Sequence, residues 1–410
     1  MEGGESDAMR KQVLIAGGGV GGMAAALASS HAGWDVRLFE RSPQFSEVGA
    51  GIQLGPNVVR RLQAWGLQRA LQDVAAVPPW LRVRSAIDGD ELACMELGAQ
   101  MVERYGASYL AIHRADLHAV LQQEVVGRAE MHINNGQVVA SVVQSHDAVT
   151  VTTEAGKVIE GDALIAADGV WSGLRVQLLH DGRPRPTGHL AYRALVKQSQ
   201  LPKELRCDSV VTWLGPRMHV VQYPVRKGDL LNIVAIIEGP APDDLQSWDH
   251  AANAAELERV LARYCAPLQD LIRAVPAAGV QWRLWPLSDR APLTGPDQMA
   301  QGLVGLLGDA AHPMLPYLAQ GAGMAIEDAA ELQRALAMDD LEVHLRLRRY
   351  ALNRWQRVAR VQARSRRNAR IFHASGTLRW GRDLSLRLLG ARIMDMPWLY
   401  RGDGSSASSL

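Results

Sequence analysis

The chain has 410 residues, of which 48% are hydrophobic and 21% are charged, and its formal net charge is +1. This composition is typical of a globular protein and excludes intrinsic disorder, and the near-zero charge gives no reason to expect a nucleic-acid partner. At ~150 residues per domain, the length predicts two or three domains.

The three cysteines, Cys94, Cys207 and Cys265, lie far apart and form no CxxC pair, so we expect reduced thiols and no metal site. Residues 1–11 are polar, and no apolar run reaches ~18 residues. We therefore expect neither a secretory signal nor a transmembrane span, and we predict a cytoplasmic enzyme.

The predicted elements begin with a βαβ unit made of strand 12–16, an Ala-rich helix 20–32 and strand 34–40, which implies a parallel sheet. The later elements, in chain order, are helices 57–75 and 114–126, antiparallel strands within 131–166, further strands within 187–240, a helix 249–275, a strand within 303–312, and helices 322–338 and 341–372. This order predicts a nucleotide-binding domain that is interrupted by a second, sheet-based domain.

A glycine-rich turn joins the first strand to the first helix. Gly17, Gly19 and Gly22 give the GxGxxG pattern, in which glycines permit a tight turn, close approach to a pyrophosphate and close helix packing. Glu40 ends the second strand, where a carboxylate can accept both ribose hydroxyls of an adenosine. The alternative is a turn that merely packs tightly, and the pattern does not separate NAD from FAD.

Two later segments repeat the arrangement of a strand followed by Asp and Gly. Asp168 and Gly169 follow one predicted strand, and Asp309 follows another, shortly before Gly321 and Gly323 at a helix entrance. Asp309 can accept a cofactor hydroxyl, and amides at the helix N-terminus can stabilise negative charge on a bound cofactor. Taken singly, each aspartate is equally well read as a helix N-cap.

Together these three segments resemble the single-component FAD-dependent aromatic hydroxylases, and the resemblance covers essentially the whole chain. It implies non-covalent FAD, NADH or NADPH as a transient co-substrate, and O2 activated as a flavin C4a-hydroperoxide. The implied FAD contacts are Gly17, Gly19 and Gly22 at the pyrophosphate, Glu40 with Arg41 at the ribose, Gly51 and Gln53 within the segment 49–57 beside the flavin ring, Arg114, Asp168 with Gly169 (a pair also linked to NAD(P)H), Asp309 at the ribityl chain, and Gly321, Ala322 and Gly323 at the helix entrance.

The fold implied by the resemblance is α/β. A Rossmann-like FAD-binding βαβ domain of the glutathione-reductase type is interrupted by a β-sheet substrate domain and followed by C-terminal helices. We predict the FAD-binding domain at 1–77, 104–184 and 285–340, the substrate domain at 78–103 and 185–284, and the helical segment at 341–410.

His219 and Tyr223 lie four residues apart in a predicted strand, so both side chains face one side of the sheet. From the residues alone, a histidine satisfied within the core is the stronger reading. The resemblance to 3-hydroxybenzoate and 6-hydroxynicotinate hydroxylases implies instead that His219 is the base that deprotonates a substrate phenol, and that Tyr223 touches the substrate. Tyr109 is a candidate for the substrate carboxylate, although packing is the stronger reading there.

Two positions depart from these relatives. Pro316 stands where 3-hydroxybenzoate 6-hydroxylases have a glutamine beside the substrate, and Gln53 stands where 6-hydroxynicotinate hydroxylases have a histidine. We expect a small phenolic acid as substrate, with 3-hydroxybenzoate converted to gentisate favoured and salicylate or 6-hydroxynicotinate as alternatives. The rival classes are an FAD oxidase or dehydrogenase without oxygen transfer, and a flavin-binding protein without catalysis.

Two other features are predicted to be structural. His312 belongs to the loop of Asp309, so we expect a structural role. The helix 341–372 carries ten arginines, and we expect Leu345, Leu352, Trp355 and Ala359 to be its buried stripe and the arginines to be a solvated face. A lipid, RNA or protein contact is the alternative for this helix, and we expect a monomer or a homodimer.

Overall fold

The computed structural model describes residues 10–45, 50–245, 250–251 and 254–402. Some predicted features lie partly outside the described residues. They are Gly49 of the predicted flavin segment, residues 249, 252 and 253 of the predicted helix 249–275, residues 1–9 of the predicted FAD-binding domain and residues 403–410 of the predicted helical segment.

The strands are β1 (Gln12–Ala16), β2 (Asp35–Glu40), β3 (Gly51–Leu54), β4 (Trp80–Ser85), β5 (Glu91–Glu96), β6 (Leu110–His113), β7 (Met131–Asn135), β8 (Val139–Gln144), β9 (Val149–Thr153), β10 (Val158–Gly161), β11 (Ala163–Ala166), β12 (Arg185–Lys197), β13 (Val210–Gly215), β14 (Met218–Val225), β15 (Leu230–Glu238), β16 (His250–Ala251), β17 (Arg283–Asp289), β18 (Ala300–Gln301) and β19 (Val304–Leu306). The helices are α1 (Val20–His31), α2 (Pro56–Ala64), α3 (Gln68–Val74), α4 (Ala99–Tyr105), α5 (Arg114–Val125), α6 (Gly173–Leu179), α7 (Ala254–Leu261), α8 (Ala266–Ala277), α9 (Gly321–Leu336), α10 (Val343–Phe372), α11 (Gly376–Leu389), α12 (Ala391–Met394) and α13 (Pro397–Tyr400).

A six-stranded sheet in the order β18-β19-β11-β1-β2-β7 forms the nucleotide-binding layer. Its strands β19, β11, β1, β2 and β7 run parallel, and only the edge strand β18 is antiparallel. Helices α1, α5 and α9 pack together over this sheet. The central β1 is apolar and fully buried from Val13 to Ile15, as expected for a parallel strand that is covered on both faces.

An eight-stranded sheet in the order β16-β17-β12-β15-β14-β13-β4-β5 forms the second layer, and it carries His219 on β14. Helices α7 and α8 contribute to a separate apolar core on this sheet. The predicted α/β fold with an inserted sheet domain and C-terminal helices is therefore confirmed. We propose the predicted domain limits. Strands β4, β5 and β12 to β16 support them, because all of these join the eight-stranded sheet, whereas β17 joins the same sheet and crosses the predicted limit between residues 284 and 285.

The predicted helix 57–75 is wrong as a single element, because α2 ends before Gly66 and α3 begins after it. Gly66 has φ +83°, a left-handed conformation that interrupts the helix. The predicted helix 249–275 is likewise wrong as a single element, because residues 250–251 form β16 and the helical part is divided into α7 and α8. Pro267 lies in the first turn of α8, where its missing N–H costs nothing.

The strands within 131–166 are only partly antiparallel. Strands β8, β9 and β10 form an antiparallel sheet of their own, whereas β7 and β11 join the parallel sheet beside β2 and β1. The sequence of β11, ALIA, is buried at every position. This is typical of a parallel strand, whereas a hairpin usually has one solvent-exposed face.

The predicted buried stripe of α10 is wrong in part, because Trp355 and Ala359 are half-buried and pack against the core while the two leucines are exposed. Leu345 and Leu352 are 43% and 46% exposed, while Arg346 and Arg354 are almost fully buried. The buried face includes these arginines because acidic groups and backbone carbonyls inside the protein satisfy their guanidinium groups. Apolar spacing alone therefore identified only part of the buried face of the helix.

A search of the described helices found none that combines the length and the apolar character needed to cross a bilayer.

Candidate active site

The glycine-rich turn has the close packing that its sequence predicts. Gly17 has φ +103°, and a Cβ built on it would lie 2.4 Å from the carbonyl oxygen of Ala167. A Cβ on Gly22 would lie 1.8 Å from the carbonyl oxygen of Gly17. These two glycines therefore permit backbone contacts that no other residue allows, whereas Gly19 faces open space, with its nearest neighbour, Arg114 Nη2, 3.9 Å from a built Cβ.

Glu40 lies at the end of β2, directly beside this turn. Its carboxylate accepts hydrogen bonds from the backbone N–H of Gly18, at 2.7 Å, and of Ser42, at 2.8 Å. The predicted ribose acid is thus held at the mouth of the turn, and the neighbouring Arg41 is exposed.

Arg114, Asp309 and Gly321 come together although they lie far apart in the sequence. Asp309 Oδ1 lies 4.0 Å from a Cβ built on Gly321, the first residue of α9. The surrounding protein desolvates the Asp309 carboxyl and raises its pKa, while the positive charges of His312 and Arg114 act in the opposite direction. Arg114, which starts α5, interacts electrostatically with Asp309.

Asp168 follows β11 and lies against the glycine turn, since its Cα is 3.0 Å from a Cβ built on Gly17. Burial raises the pKa of this carboxyl, and hydrogen bonds from Ser172 and the backbone of Leu174 oppose the shift. Asp168 Oδ1 is buried and has no hydrogen-bond partner among the described residues. The adjacent Gly169 has φ +81° and open space around its Cβ position.

These residues fit FAD. The helices α1 and α9 begin at Gly19–Val20 and Gln320–Gly321 without a side-chain cap, so their first N–H groups are available to a phosphate or to a charged ring. Along the same side lie the unpartnered Asp168 oxygen and the Asp309 carboxylate, which can accept hydroxyl groups. Ala322 and Gly323 follow in the first turn of α9, and Gly323 contacts Val58 closely enough to exclude a larger residue.

A cavity of about 730 Å³ lies beside the start of α9, which is within the size range of small-molecule sites. Four of the predicted site residues line it, namely Gln53, Tyr109, His219 and Pro316. Pro316 is exposed to the cavity at the turn that leads into α9. Most of the remaining lining is apolar, and much of it comes from α10, α11 and α12.

His219 is 3% exposed and meets the cavity from β14. Its Nδ1 lies 2.9 Å from Nε2 of His373, at the end of α10, and its ring packs on Tyr317 and Phe372. Burial, together with repulsion from His373 and His189, lowers the pKa of His219 well below its usual value. His219 is therefore a neutral imidazole with one ring nitrogen fixed by a hydrogen bond.

Tyr223 does not line the cavity. Its ring lies behind β3, where a Cβ on Gly51 would be 2.6 Å from Tyr223 Cε2, and its hydroxyl is hydrogen-bonded to Gln53. Tyr109 donates a hydrogen bond of 2.8 Å to Gln53 Oε1. Gln53 thus joins the two tyrosines, and Gly51 donates to Asn232 Oδ1 at 2.7 Å.

The sequence prediction missed Arg364, on α10. It lines the cavity, and its Nε is buried without a hydrogen-bond partner in the part of the chain that the structure describes. Burial and the neighbouring Arg367 lower its pKa. The only signal in the sequence was its place among ten arginines, which gave no means of separating it from solvated ones.

Comparison with known proteins decides the family. A family model described as FAD binding domain matches residues 10–365. A 3-hydroxybenzoate 6-hydroxylase of Polaromonas naphthalenivorans is 36% identical over 391 residues, which are 95% of each chain. The chain belongs to the FAD-dependent aromatic monooxygenases.

Other similarities place this monooxygenase within the same group. A 3-amino-4-hydroxybenzoate 2-monooxygenase of Streptomyces platensis, PtmB3, is 36% identical over 401 residues, or 98% of each chain. A salicylate hydroxylase structure in complex with substrate matches with a TM-score of 0.79 and 27% identity, covering 96% of each chain. The enzyme is thus an FAD flavoprotein that hydroxylates aromatic rings, and the rival interpretations without oxygen transfer lose their support.

Proposed function

We propose that this monooxygenase hydroxylates a small phenolic carboxylic acid, and that 3-hydroxybenzoate, converted to gentisate with NADH or NADPH as reductant, is the favoured substrate. The observation that carries the proposal is a neutral, oriented histidine and an unpartnered guanidinium nitrogen on the walls of one cavity. The relative from Polaromonas, whose name gives this reaction, adds support.

His219 supplies the base. Its lowered pKa keeps the imidazole unprotonated at neutral pH, so that it can accept a proton. With Nδ1 engaged by His373, Nε2 is the nitrogen that accepts the proton from the phenol. The phenolate is the more electron-rich ring, and electrophilic hydroxylation requires such a ring.

Arg364 supplies the counter-charge for the substrate carboxylate. A guanidinium forms charge-assisted hydrogen bonds to carboxylates, and a buried Nε without a partner gains one when the substrate binds. Tyr109 is the alternative group, but its hydroxyl is already engaged with Gln53.

FAD, when bound, supplies the redox chemistry and the activation of O2. The residues that would hold it are those around the glycine turn, Asp168, Asp309 with Arg114, and the start of α9. The apolar lining of the cavity excludes water from the reacting ring.

Salicylate is the second candidate, because Pro316 lines the cavity and has no side-chain donor for a hydroxyl on the ring. A hydroxynicotinate is disfavoured, because Gln53 stands where 6-hydroxynicotinate hydroxylases have a histidine. The side-chain carbonyl of Gln53 accepts a hydrogen bond from Tyr109.

The test is a panel of hydroxybenzoates, 3-amino-4-hydroxybenzoate and 6-hydroxynicotinate, offered to the FAD-loaded enzyme with NADH and, separately, NADPH. Product identification under 18O2 should show gentisate with one labelled oxygen from 3-hydroxybenzoate. Catechol formed more efficiently from salicylate would overturn the favoured substrate in favour of the second. Oxidation of the reductant that no aromatic acid stimulates would overturn the proposal as a whole.

A further inference from the structure

His219 is the innermost member of a row of hydrogen-bonded groups that ends at the protein surface. His219 Nδ1 lies 2.9 Å from His373 Nε2, and His373 Nδ1 lies 3.3 Å from Glu238 Oε1. The Glu238 side chain is 30% exposed and pairs with Arg217, whose side chain is 68% exposed. The row thus connects the buried cavity wall with solvent at the end of β15.

We propose that His373 and Glu238 relay the substrate's phenolic proton from His219 to solvent. The inference rests on the proposed function, because it needs a substrate that gives up a proton at His219. A buried base that accepts a proton and cannot pass it on becomes an imidazolium in an apolar wall, which is costly. A relay removes that charge.

Protons and charges balance in the relay, and both imidazoles are neutral before and after the transfer. Before transfer, His219 carries its proton on Nδ1 and donates it to His373 Nε2, while His373 donates its own Nδ1 proton to the Glu238 carboxylate. The phenol O–H bond then breaks as His219 Nε2 gains the proton. The Nδ1 proton of His219 passes to His373 Nε2, and the Nδ1 proton of His373 passes to Glu238, which releases it to water. Both imidazoles end as the opposite neutral tautomer.

The groups around the row agree with this assignment. His219 is faced by His373 from the end of α10, His189 from β12 and Tyr317 from the turn before α9. Burial, with repulsion from His189, lowers the pKa of His373 to about 4, so that this imidazole is neutral at pH 7.

His373 is also faced by Glu238 from β15 and by Arg382 from α11. Burial opposes ionisation of Glu238, but the hydrogen bond from Arg217 and the contact with His373 lower its pKa, so that it is a carboxylate ready to accept.

A side branch is present and provides a matched control. His189 Nδ1 lies 2.6 Å from the Tyr317 hydroxyl, which is 3.4 Å from His373 Nε2, a longer contact than that from His219. His189 therefore belongs to the same cluster but lies off the shortest path from His219 to Glu238.

The experiment mixes oxidised, FAD-loaded enzyme with 3-hydroxybenzoate in weak buffer that contains a pH-indicator dye. The absorbance of the phenolate reports deprotonation, and the dye reports protons that reach solvent. In the wild type both signals should rise together and in equal amounts. No turnover is needed, so the measurement is independent of oxygen chemistry.

His373→Gln should slow proton release by roughly 10²-fold, the lower end for loss of a positioned acid–base group. Added imidazole should restore part of the rate, which a purely structural defect would not show. Glu238→Gln, at the exposed end, should slow release as well, and it decides the matter if His373→Gln does not fold. His189→Gln should slow release much less than His373→Gln, because His189 lies beside the row and acts on it only through the pKa values of His219 and His373.

Proton release at the wild-type rate in a folded His373→Gln or Glu238→Gln variant would overturn the relay alone, since the phenolate signal would still report the base. Equal slowing in His189→Gln would overturn the assigned path. A wild-type enzyme that binds 3-hydroxybenzoate without any phenolate signal would overturn the proposed role of His219, and the relay with it.

Discussion

His219 is buried in a sheet, and its ring orientation is fixed by a hydrogen bond. Its proposed role as a base can be tested by substitution. His219→Asn keeps the size and one hydrogen bond, so the fold and FAD binding should persist. Product formation should fall roughly 10²–10⁴-fold, as for loss of a general base. NAD(P)H oxidation should continue and yield hydrogen peroxide instead of product.

A rise in pH toward the phenol's own pKa, ~10 by analogy with tyrosine, should partly rescue hydroxylation in this variant, because the substrate then arrives ionised. His132→Asn, at an exposed position on β7, is the matched control. Product formed per NAD(P)H consumed, followed against pH, is the measurement, and a fully coupled His219→Asn enzyme would remove His219 from the mechanism.

The proposed role of Arg364 predicts an effect on substrate affinity. Arg364→Met keeps an unbranched apolar side chain but removes the guanidinium and its charge, so a carboxylate loses a bond of roughly 1.5–3 kcal/mol, or about 10–100-fold in affinity. The KM for 3-hydroxybenzoate should rise while the Kd for FAD stays unchanged. Arg370→Met, at an exposed position on the same helix, should behave as the wild type, and an unchanged KM in Arg364→Met would refute the assignment.

Asp309 is predicted to bind FAD. Asp309→Ala should raise the Kd for FAD by about one to two decades, because a charge-assisted hydrogen bond to a hydroxyl is lost. Fluorescence titration of the apoenzyme with FAD measures this, with Asp340→Ala, exposed after α9, as the control. If both variants bind FAD equally well, Asp309 does not contact the cofactor.

At the scale of elements, α9 and α10 are held together by a buried group of charges. Arg354 donates to Asp328 Oδ1 at 2.8 Å and to Glu327 Oε2 at 2.9 Å, and all three side chains are at most 3% exposed. Asp328 also bonds His312, which confirms that this histidine of the flavin loop is fully buried in a structural network. The group therefore connects the start of the FAD site with the C-terminal helix.

Substitution of Arg354 should strongly lower the free energy of unfolding. Arg354→Met leaves Glu327 and Asp328 buried without one of their positively charged partners, which costs about 3–5 kcal/mol in comparable cases. Chemical denaturation of the apoenzyme measures the change in unfolding free energy. Arg370→Met is again the control, and a loss below 1 kcal/mol, near the value for exposed pairs, would contradict the assignment.

Some of these elements follow from residue type and spacing alone, whereas others depend on partners that are distant in the sequence. The turn was predictable because backbone clashes leave only glycine at Gly17 and Gly22, and the strands were predictable from apolar runs. The buried face of α10 was not, because an arginine reads as solvated unless its partner is known. Glu327 and Asp328 lie 27 and 26 residues before Arg354, and only the fold brings them together. Arg364 was missed for the same reason.

For the whole molecule, the buried ionisable groups determine the response to acid. Burial lowers the pKa of His219, His189 and His373 in the folded state, so the unfolded chain binds more protons once the pH falls below ~6.5. Stability should therefore begin to fall below that pH.

A second loss should follow between about pH 4.5 and pH 2. Burial alone would raise the pKa of Glu327 and Asp328, but Arg357, Arg354 and His312 hold both at about 2 in the folded state. Such groups stabilise the fold fully above their unfolded pKa and lose that contribution as the pH falls through the folded one. Melting temperatures from pH 8 to pH 3 measure both stages, and His373→Gln should reduce the first stage only. A melting temperature that is constant over this range would contradict both assignments.

The walls of the cavity come from different parts of the chain, and this has a consequence for how selectivity can change. His219 and Gln53 lie on sheets, whereas Thr377, Leu378, Ser385, Ile393, Met394, Met396 and Tyr400 all come from one stretch near the C-terminal end. None of the predicted FAD contacts lies in that stretch. An exchange between relatives of the chain from residue 376 to its C-terminal end would therefore alter which aromatic rings the cavity admits and leave the predicted FAD contacts in place, and recombination at a single crossover point is enough for it.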